Sequence, residues 1–232
     1  MNSKKKRLII DLLLISITMA IVLVILMAVI GDKLNQFAYD QSKNIIYRVA
    51  LIGICGQFGI AGLGITIVCL LRKESFTRFG LCKKNFLHSV LLSLACCVPD
   101  FINCYMQGKV HRWCPFWDVN TTPEVLSSPW FDMVIAYLIT AICWGFFEGF
   151  NYVVIRDKLS ELFASKYRFL DWGAFACALM CIIIHGCVGV TPDALLEMLT
   201  TIFLIYGMLI VRKETGNAWG CIFVFLVYWN AL

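Results

Sequence analysis

Long stretches without any charged residue constrain this chain more than any other feature. Residues 12–31 hold no charged side chain over 20 positions, which is about the length that a helix needs to cross ~30 Å of hydrocarbon. Of the 232 residues, 60% are hydrophobic and only 15% are charged, a composition outside the range of soluble domains. Runs of this length favour helices over the shorter strands of a barrel, and each helix satisfies its own backbone hydrogen bonds in lipid. The sequence therefore predicts an all-α, polytopic membrane protein.

About seven stretches have the length and composition of transmembrane helices. The first follows a basic N-terminal segment, as a secretory signal does, but its apolar run is too long for a signal peptide, so we expect it to remain as a span. We predict an N-terminal membrane part, residues 1–126, with about three helices, and a core, residues 127–232, with about four. The seven predicted spans are 12–31, 50–71, 86–105, 133–155, 172–190, 195–211 and 219–232.

The basic residues predict how the chain is oriented. Fifteen of the 20 Lys and Arg residues fall in segments 4–7, 72–84, 156–168 and 212–213, which alternate with segments poor in basic residues. Because positive charge is enriched in cytoplasmic loops, we predict a multi-pass protein of the cell membrane with its N-terminus in the cytoplasm. The net charge of +5 then needs no nucleic acid to explain it. Membrane lipids are the first expected partners, and the oligomeric state stays open.

A single charge interrupts the fourth apolar run. Glu148 is the only charged residue between positions 133 and 155, and a carboxylate among lipid tails costs about 2.5 kcal/mol or more. Such a residue normally faces the interior of a helix bundle or a wet cavity, so Glu148 is a candidate site residue. Asn151 and Tyr152, three and four positions later, share its helix face. They could orient the carboxylate or line the same cavity.

Two more polar residues occupy later spans. His185 is followed by Gly186, which permits the close approach of another helix; His185 either pairs with Glu148 or only bridges two helices. Asn230 either joins the same site or acts as an ordinary hydrogen-bonding contact between helices. Counting ~1.5 Å per residue from the cytoplasmic ends puts Glu148, His185 and Asn230 at roughly similar depths. One shared cavity that opens toward the cytoplasmic half is therefore geometrically allowed.

The chemistry of such a site has two readings. A carboxylate and an imidazole in a protein-walled cavity can activate water, or they can form a proton or cation relay. We expect no cofactor and no metal, because the chain has no CxxC pair and no HExxH motif.

Two other groups of residues have less specific interpretations. Asp100 and Asn103 follow Pro99 and are expected at a kinked, hydrated end of the third span. A disulfide between Cys104 and Cys114 is one option for cysteines outside the apolar core.

The order of the polar motifs resembles that of the CPBP family, which contains intramembrane glutamate proteases such as the CAAX prenyl endopeptidases and proteins of bacteriocin processing or immunity. The resemblance covers about residues 133–232, through FFEGFNYVVIRDKL, then IIIHG, then IYGMLIVRKETGNAWGCIFVFLVYWNAL. Within the last stretch, Tyr206-Gly207, the basic turn 212–216 and Asn230 follow the family pattern. The resemblance implies a CPBP-like helical bundle preceded by variable helices.

The same resemblance implies a metal-independent endopeptidase that acts on a peptide or on the C-terminal segment of a protein. Glu148 would activate water as the base, His185 would hold the water or stabilise charge, and Asn230 would donate to the oxyanion. Tyr206 is a possible cavity-lining residue, together with Asn151 and Tyr152.

Three positions depart from the family pattern. Gly149 stands where a second Glu is usual, Val153 where an Arg is usual, and Leu226 where a second His is usual. A catalytically inactive relative that acts in bacteriocin immunity, secretion or partner binding is therefore the alternative. A small carrier or proton-coupled transporter is less favoured, because the internal repeats and paired broken helices typical of transporters are not evident.

Overall fold

The computed structural model describes residues 3–232, and all of its regular secondary structure over that range is helical. Short segments connect eight helices, and a single 3₁₀ turn, Phe76–Phe79, follows the second of them. The helices are α1 (Ser3–Tyr39), α2 (Ile45–Arg72), α3 (Phe86–Met106), α4 (Thr122–Ser127), α5 (Trp130–Leu162), α6 (Trp172–Ile184), α7 (Pro192–Thr215) and α8 (Trp219–Val227).

The all-helical prediction is confirmed, and five helices, α1, α2, α3, α5 and α7, are long and apolar enough to cross a membrane. Each of the five contains or closely matches one predicted span. The stretches predicted at 172–190 and 219–232 differ, because they form helices of only 13 and 9 residues, α6 and α8. At ~1.5 Å per residue, neither helix covers ~30 Å of hydrocarbon by itself.

Helix α5 lies at the centre of the bundle. It packs against α1 and α2 on one side and against α6 and α8 on the other, while α7 packs against α3 and α6. The predicted division at residue 126 remains a prediction, since Ile15 and Ile65 of the N-terminal part share one hydrophobic core with residues of the C-terminal part. The largest fully buried members from the C-terminal part are Phe150, Leu204, Ile205, Met208, Leu209, Ile222 and Phe225.

Helix α3 is interrupted at residues 96–97, immediately before Pro99, whose ring lacks the N–H that would continue the helix. The expected kink is present, but Asp100 is mostly buried and does not stand at an open helix end. Asp100 is only 8% exposed, and its carboxylate accepts hydrogen bonds from the hydroxyls of Thr200 (2.9 Å) and Tyr228 (2.7 Å). The interruption lets α3 turn this carboxylate toward α7 and α8, where protein donors replace water.

All twelve cysteines lie in the described range and are free thiols. The disulfide considered for Cys104 and Cys114 is therefore not formed in this structure. The Cys104 thiol lies 4.0 Å from the Asp100 carboxylate, and the Cys114 thiol lies 3.8 Å from the carbonyl oxygen of Pro115.

A group of charged residues connects the first helix to the rest of the bundle at the face that carries the basic segments. Asp11 of α1 is fully buried and accepts hydrogen bonds from Arg72 Nε (2.7 Å) and Lys158 Nζ (2.9 Å). Lys158 also donates to Glu74 (3.0 Å), which in turn pairs with Arg7 (2.8 Å). Since most of the apolar surface of α1 is not covered by protein, this charged group is its most specific attachment.

We expect Asp11→Asn to destabilise the folded protein by about 3 kcal/mol, because it leaves Lys158 and Arg72 without their shared counter-charge. The measurement is the thermal unfolding midpoint in detergent micelles. Asp32→Asn, which changes an exposed carboxylate on the same helix, is the matched control and should leave the midpoint unchanged. Equal midpoints for the two variants would contradict a structural role for the buried charges.

The start of α6 is fixed by a second charged group. Asp171 caps the helix, since its carboxylate accepts the backbone N–H of Ala174 (2.9 Å), and it also accepts from Ser160 (2.7 Å) and Arg156 (2.5 Å). Burial alone would raise the pKa of Asp171, but these hydrogen bonds outweigh it and hold the pKa below its usual value. The cap therefore determines where α6 begins.

The lowered pKa of Asp171 predicts a specific acid sensitivity. The carboxylate stabilises the folded state above the unfolded pKa of about 3.8, and this contribution is lost as the pH falls through the lower folded-state pKa. Asp171→Asn should therefore be less stable than the wild type at pH 6, and the difference should shrink below about pH 4. Unfolding midpoints measured across this range test the expectation, which a difference independent of pH would contradict.

Candidate active site

The carboxylate of Glu148 is held between two side chains from different parts of the chain. Its Oε1 lies 3.4 Å from Nε2 of His185, and its Oε2 accepts a hydrogen bond of 2.6 Å from Nε2 of Gln57. The residue is only 5% exposed. The predicted pairing with His185 is therefore present, and the carboxylate has partners in the protein instead of lipid.

His185 is exposed to this site because α6 ends there. Gly186 has a φ of +69°, the left-handed conformation that favours glycine after a helix. The N–H groups of Gly186 and Cys187 donate back to the carbonyls of Ile183 (3.3 Å) and Ile182 (2.9 Å), which is a Schellman ending. Gly186 thus terminates the helix and, contrary to expectation, makes no close approach to another helix, since no atom would contact a Cβ at this position.

Asn230 also follows a helix that ends early. The helical hydrogen bonds of α8 stop at Val227, and Tyr228–Asn230 form a turn. The backbone carbonyl of Asn230 accepts the N–H of Asp118 (3.3 Å), whereas its side-chain Nδ2 is buried without a hydrogen-bond partner among the described residues. The structure therefore leaves an unused amide donor at this position.

His185 and Asn230 line one cavity of about 520 Å³. Between them, the ring of Trp229 contacts His185 edge to face at 5.2 Å. Part of the cavity wall comes from the segment 107–121 that connects α3 to α4, and the remainder from the end of α3, the ends of α6 and α8 and the start of α7. Other polar or aromatic lining residues are Asp100, Lys109, His111, Trp117, Asp118, Glu197, Thr201 and Tyr228.

The cavity lies at the end of the bundle opposite to the basic segments, whereas the sequence allowed an opening toward the half that carries them. Helices α6 and α8 both begin near the basic face, where Asp171 binds Arg156 and Asn217 binds the backbone of Lys84. Both end before they reach the other side, and so leave open space between the bundle and the 107–121 segment. A depth estimate from residue counts cannot detect these early helix ends, because it assumes that each helix continues across the whole bundle.

Charges near the mouth of the cavity are partly compensated. Lys109 donates to Glu197 at 2.8 Å, and this hydrogen bond raises the pKa of Lys109. Burial raises the pKa of Asp118 above its ordinary value. Among residues 3–232, no group of three or more His, Cys, Asp and Glu side chains is arranged to hold a metal ion.

The three residues predicted to line the cavity lie elsewhere. Asn151 and Tyr152 are buried beside Glu148 on α5, but neither lines the cavity, and the Tyr152 ring stacks on Phe225 (5.4 Å between ring centres). Tyr206 lies toward the basic face, where its hydroxyl donates to the carbonyl of Phe169 (2.5 Å) and accepts from the N–H of Asp171 (3.1 Å). Its visible role is to position the start of α6.

The positions that depart from the family pattern are occupied by residues that pack tightly. A Cβ on Gly149 would lie 2.8 Å from Cα of Ile222 and 2.9 Å from the carbonyl oxygen of Cys221, so α5 and α8 approach here too closely for any side chain. Val153 is fully buried in the core. Leu226 packs over Gly145. At Gly149 the contact excludes any larger residue, while Val153 and Leu226 fill their positions with apolar side chains.

Gln57 is a site residue that the sequence patterns did not single out. Its signal is nevertheless present, since Gln57 is the only amide side chain in the predicted span 50–71. An uncharged polar residue in an apolar run is weaker evidence than a charge, because a hydrogen bond to a neighbouring helix accounts for it.

The close contact at Gly149 yields a stability prediction. We expect Gly149→Ala to destabilise the protein by about 1–3 kcal/mol, because the added methyl group forces α5 and α8 apart. Gly56→Ala, at a helical glycine where no atom lies within 4 Å of the added Cβ, is the control and should not be less stable than the wild type. Unfolding midpoints in detergent micelles compare the two, and equal stability would show that the helices relax at no cost.

Searches against protein-family models, curated proteins and solved structures found no match to this chain.

Proposed function

We propose that this protein is a divergent intramembrane glutamate-type endopeptidase, related to the CPBP family, that cleaves a peptide or the C-terminal segment of a protein at the membrane. The observation that carries the proposal is the contact between Glu148 and His185 at the edge of a cavity that Asn230 also lines. These residues lie far apart along the chain, in α5 and in the turns that follow α6 and α8; Glu148 contacts His185, and His185 and Asn230 line the same cavity. They are the three residues to which the family resemblance assigns catalytic roles.

In the proposed reaction, Glu148 removes a proton from a water molecule, and the resulting hydroxide forms a bond to the carbonyl carbon of the scissile amide. His185 holds the water and balances the charge at Glu148. The oxyanion of the tetrahedral intermediate accepts a hydrogen bond from Asn230, whose Nδ2 has no other partner. Glu148 then returns the proton to the amide nitrogen, the C–N bond breaks, and a carboxylic acid and an amine leave.

The site has fewer oxyanion donors than the family pattern implies. Leu226 supplies no hydrogen bond where the pattern has a second His, and the loss of one oxyanion donor typically lowers the rate about 10²- to 10³-fold. We therefore expect slow turnover. The same packing of apolar residues at motif positions favours the alternative, a catalytically inactive relative that binds a peptide or partner in bacteriocin immunity or secretion.

The proposal also includes a membrane arrangement. We propose that α6 and α8 cross the bilayer together with the turns and loops that follow them, so that the chain crosses about seven times with its N-terminus in the cytoplasm of the cell. Non-helical backbone at membrane depth is tolerated where it is buried in protein or lines a wet cavity. His185 and Cys187 after α6, and Trp229 and Asn230 after α8, line the cavity, which supports this arrangement. In this orientation the cavity opens away from the cytoplasm, and its substrate reaches it from that side.

A mixed library of unrelated synthetic peptides, incubated with the protein in lipid nanodiscs and read by mass spectrometry, tests the activity. We expect the wild type to cleave, Glu148→Gln and His185→Ala to abolish cleavage, and Asn230→Ala to slow it about 10²- to 10³-fold through loss of the oxyanion donor. Glu161→Gln, an equivalent change at the basic face, is the control and should cleave as the wild type does.

Two outcomes would contradict the enzymatic proposal. One is cleavage that persists in folded Glu148→Gln and His185→Ala variants. The other is the absence of any product from the wild type, together with a cellular phenotype that survives Glu148→Gln and is lost when bulky side chains fill the cavity. The second result would support the inactive, partner-binding alternative.

A further inference from the structure

We propose that Gln57 is a positioning residue for Glu148, and that the N-terminal part of the chain thereby completes the reactive site. The inference rests on the proposed function and adds to it a residue outside the region that resembles the family. Gln57 Nε2 donates to Glu148 Oε2 at 2.6 Å, a short distance typical of hydrogen bonds to charged acceptors. Gln57 belongs to α2 and lies 91 positions before Glu148 in the sequence.

The two oxygens of the carboxylate have different neighbours. Oε2 is fixed by Gln57, and Oε1 faces His185. A carboxylate held at one oxygen cannot rotate freely, so the other oxygen keeps its direction toward the histidine and the cavity. This matters for a general base, because a displacement of about 1 Å can cost 10²-fold in rate. An amide N–H is suited to the task, since it donates a hydrogen bond but does not take the proton that Glu148 removes.

The local backbone supports the same assignment. Gln57 lies in the middle of the π-helical segment Ile52–Gly62, and Glu148 directly follows the π-helical segment Ala141–Phe147. Such i→i+5 turns are rare and occur frequently at functional sites. Each added residue rotates the following side chains relative to a regular α-helix. Both residues of the hydrogen bond are therefore directed by irregular helix geometry.

The two π-helical segments also pack on each other. Phe58 contacts Phe147 edge to face at 4.7 Å between ring centres. A Cβ on Gly62 would lie 2.8 Å from the Phe147 ring, and one on Gly53 would lie 3.0 Å from the thiol of Cys143. Close contacts thus hold the two π-helical segments together, and they fix the distance between Gln57 and Glu148.

The test is the pH profile of kcat/KM, measured with whichever library peptide the wild type cleaves. Gln57→Met keeps the approximate shape without the donor, and we expect it to lower kcat about 10²-fold at every pH while KM changes little. Gln57→Glu keeps a donor only while the two carboxyl groups share a proton. We expect it to retain cleavage at acid pH and to lose it at alkaline pH, where both groups are ionised and repel.

The titratable groups that face Glu148 are His185, Tyr152 and Cys181, and all three are present in every one of these variants. The difference between the profiles of Gln57→Glu and the wild type therefore reports on position 57. Thr66→Val, which removes only a hydrogen bond to the carbonyl of Gly62 within α2, is the control and should follow the wild-type profile. If Gln57 had only a structural role, both Gln57 variants would have a lower kcat/KM than the wild type, and their pH profiles would have the same shape.

Wild-type kcat/KM in Gln57→Met, or a Gln57→Glu profile that parallels the wild type, would overturn the inference. If Gln57→Met does not fold, the profile of Gln57→Glu decides alone. Loss of cleavage in Glu148→Gln with full activity in Gln57→Met would refute the positioning role and leave the proposed function standing. Cleavage that persists in Glu148→Gln would refute the proposed function, and the inference with it.

Discussion

The structure depends on what the backbone needs when a helix stops inside the bundle. Each helix end leaves several N–H or C=O groups without intrahelical partners, and lipid cannot supply them. Helices α6 and α8 both end in this way, and their last turns are satisfied by a Schellman ending and by contacts with the 107–121 segment. The consequence is a cavity lined by His185 and Asn230, which a bundle of uninterrupted helices would not contain.

The opposite face of the bundle, which carries the basic segments, is held together by buried charges. There the chain buries charges outright, and Asp11, Lys158 and Glu74 compensate one another at distances of 2.9–3.0 Å. Because charged pairs in low dielectric need well-defined geometry to offset their desolvation, this group restricts how α1 lies against α2 and α5. At the basic face, buried ion pairs thus join α1 to α2 and α5. At the opposite face, the cavity wall is formed by helix ends and the connecting segment 107–121.

The sequence predicted the parts of the fold that depend on local composition. Apolar runs of about 20 residues identify the long helices, and the isolated charge of Glu148 identifies a site residue, because both signals are contained in a few turns of helix. Contacts between distant segments lack such a signal, since Gln57 meets Glu148 only after α2 packs on α5, and Asp11 meets Lys158 only after α1 does. Tyr206 shows the limit of a motif, because the bundle uses its hydroxyl to fix the start of α6 and not to line the cavity.

Gly149 connects these observations. Its missing side chain permits α5 and α8 to approach until a Cβ would lie 2.8 Å from the backbone of Ile222, so a second carboxylate cannot stand beside Glu148. With no second carboxylate at position 149, the orientation of Glu148 must come from another helix, and the donor that contacts it is Gln57. Tight packing at one glycine thus excludes a side chain next to Glu148 on α5, and the carboxylate of Glu148 takes its support from the N-terminal part of the chain.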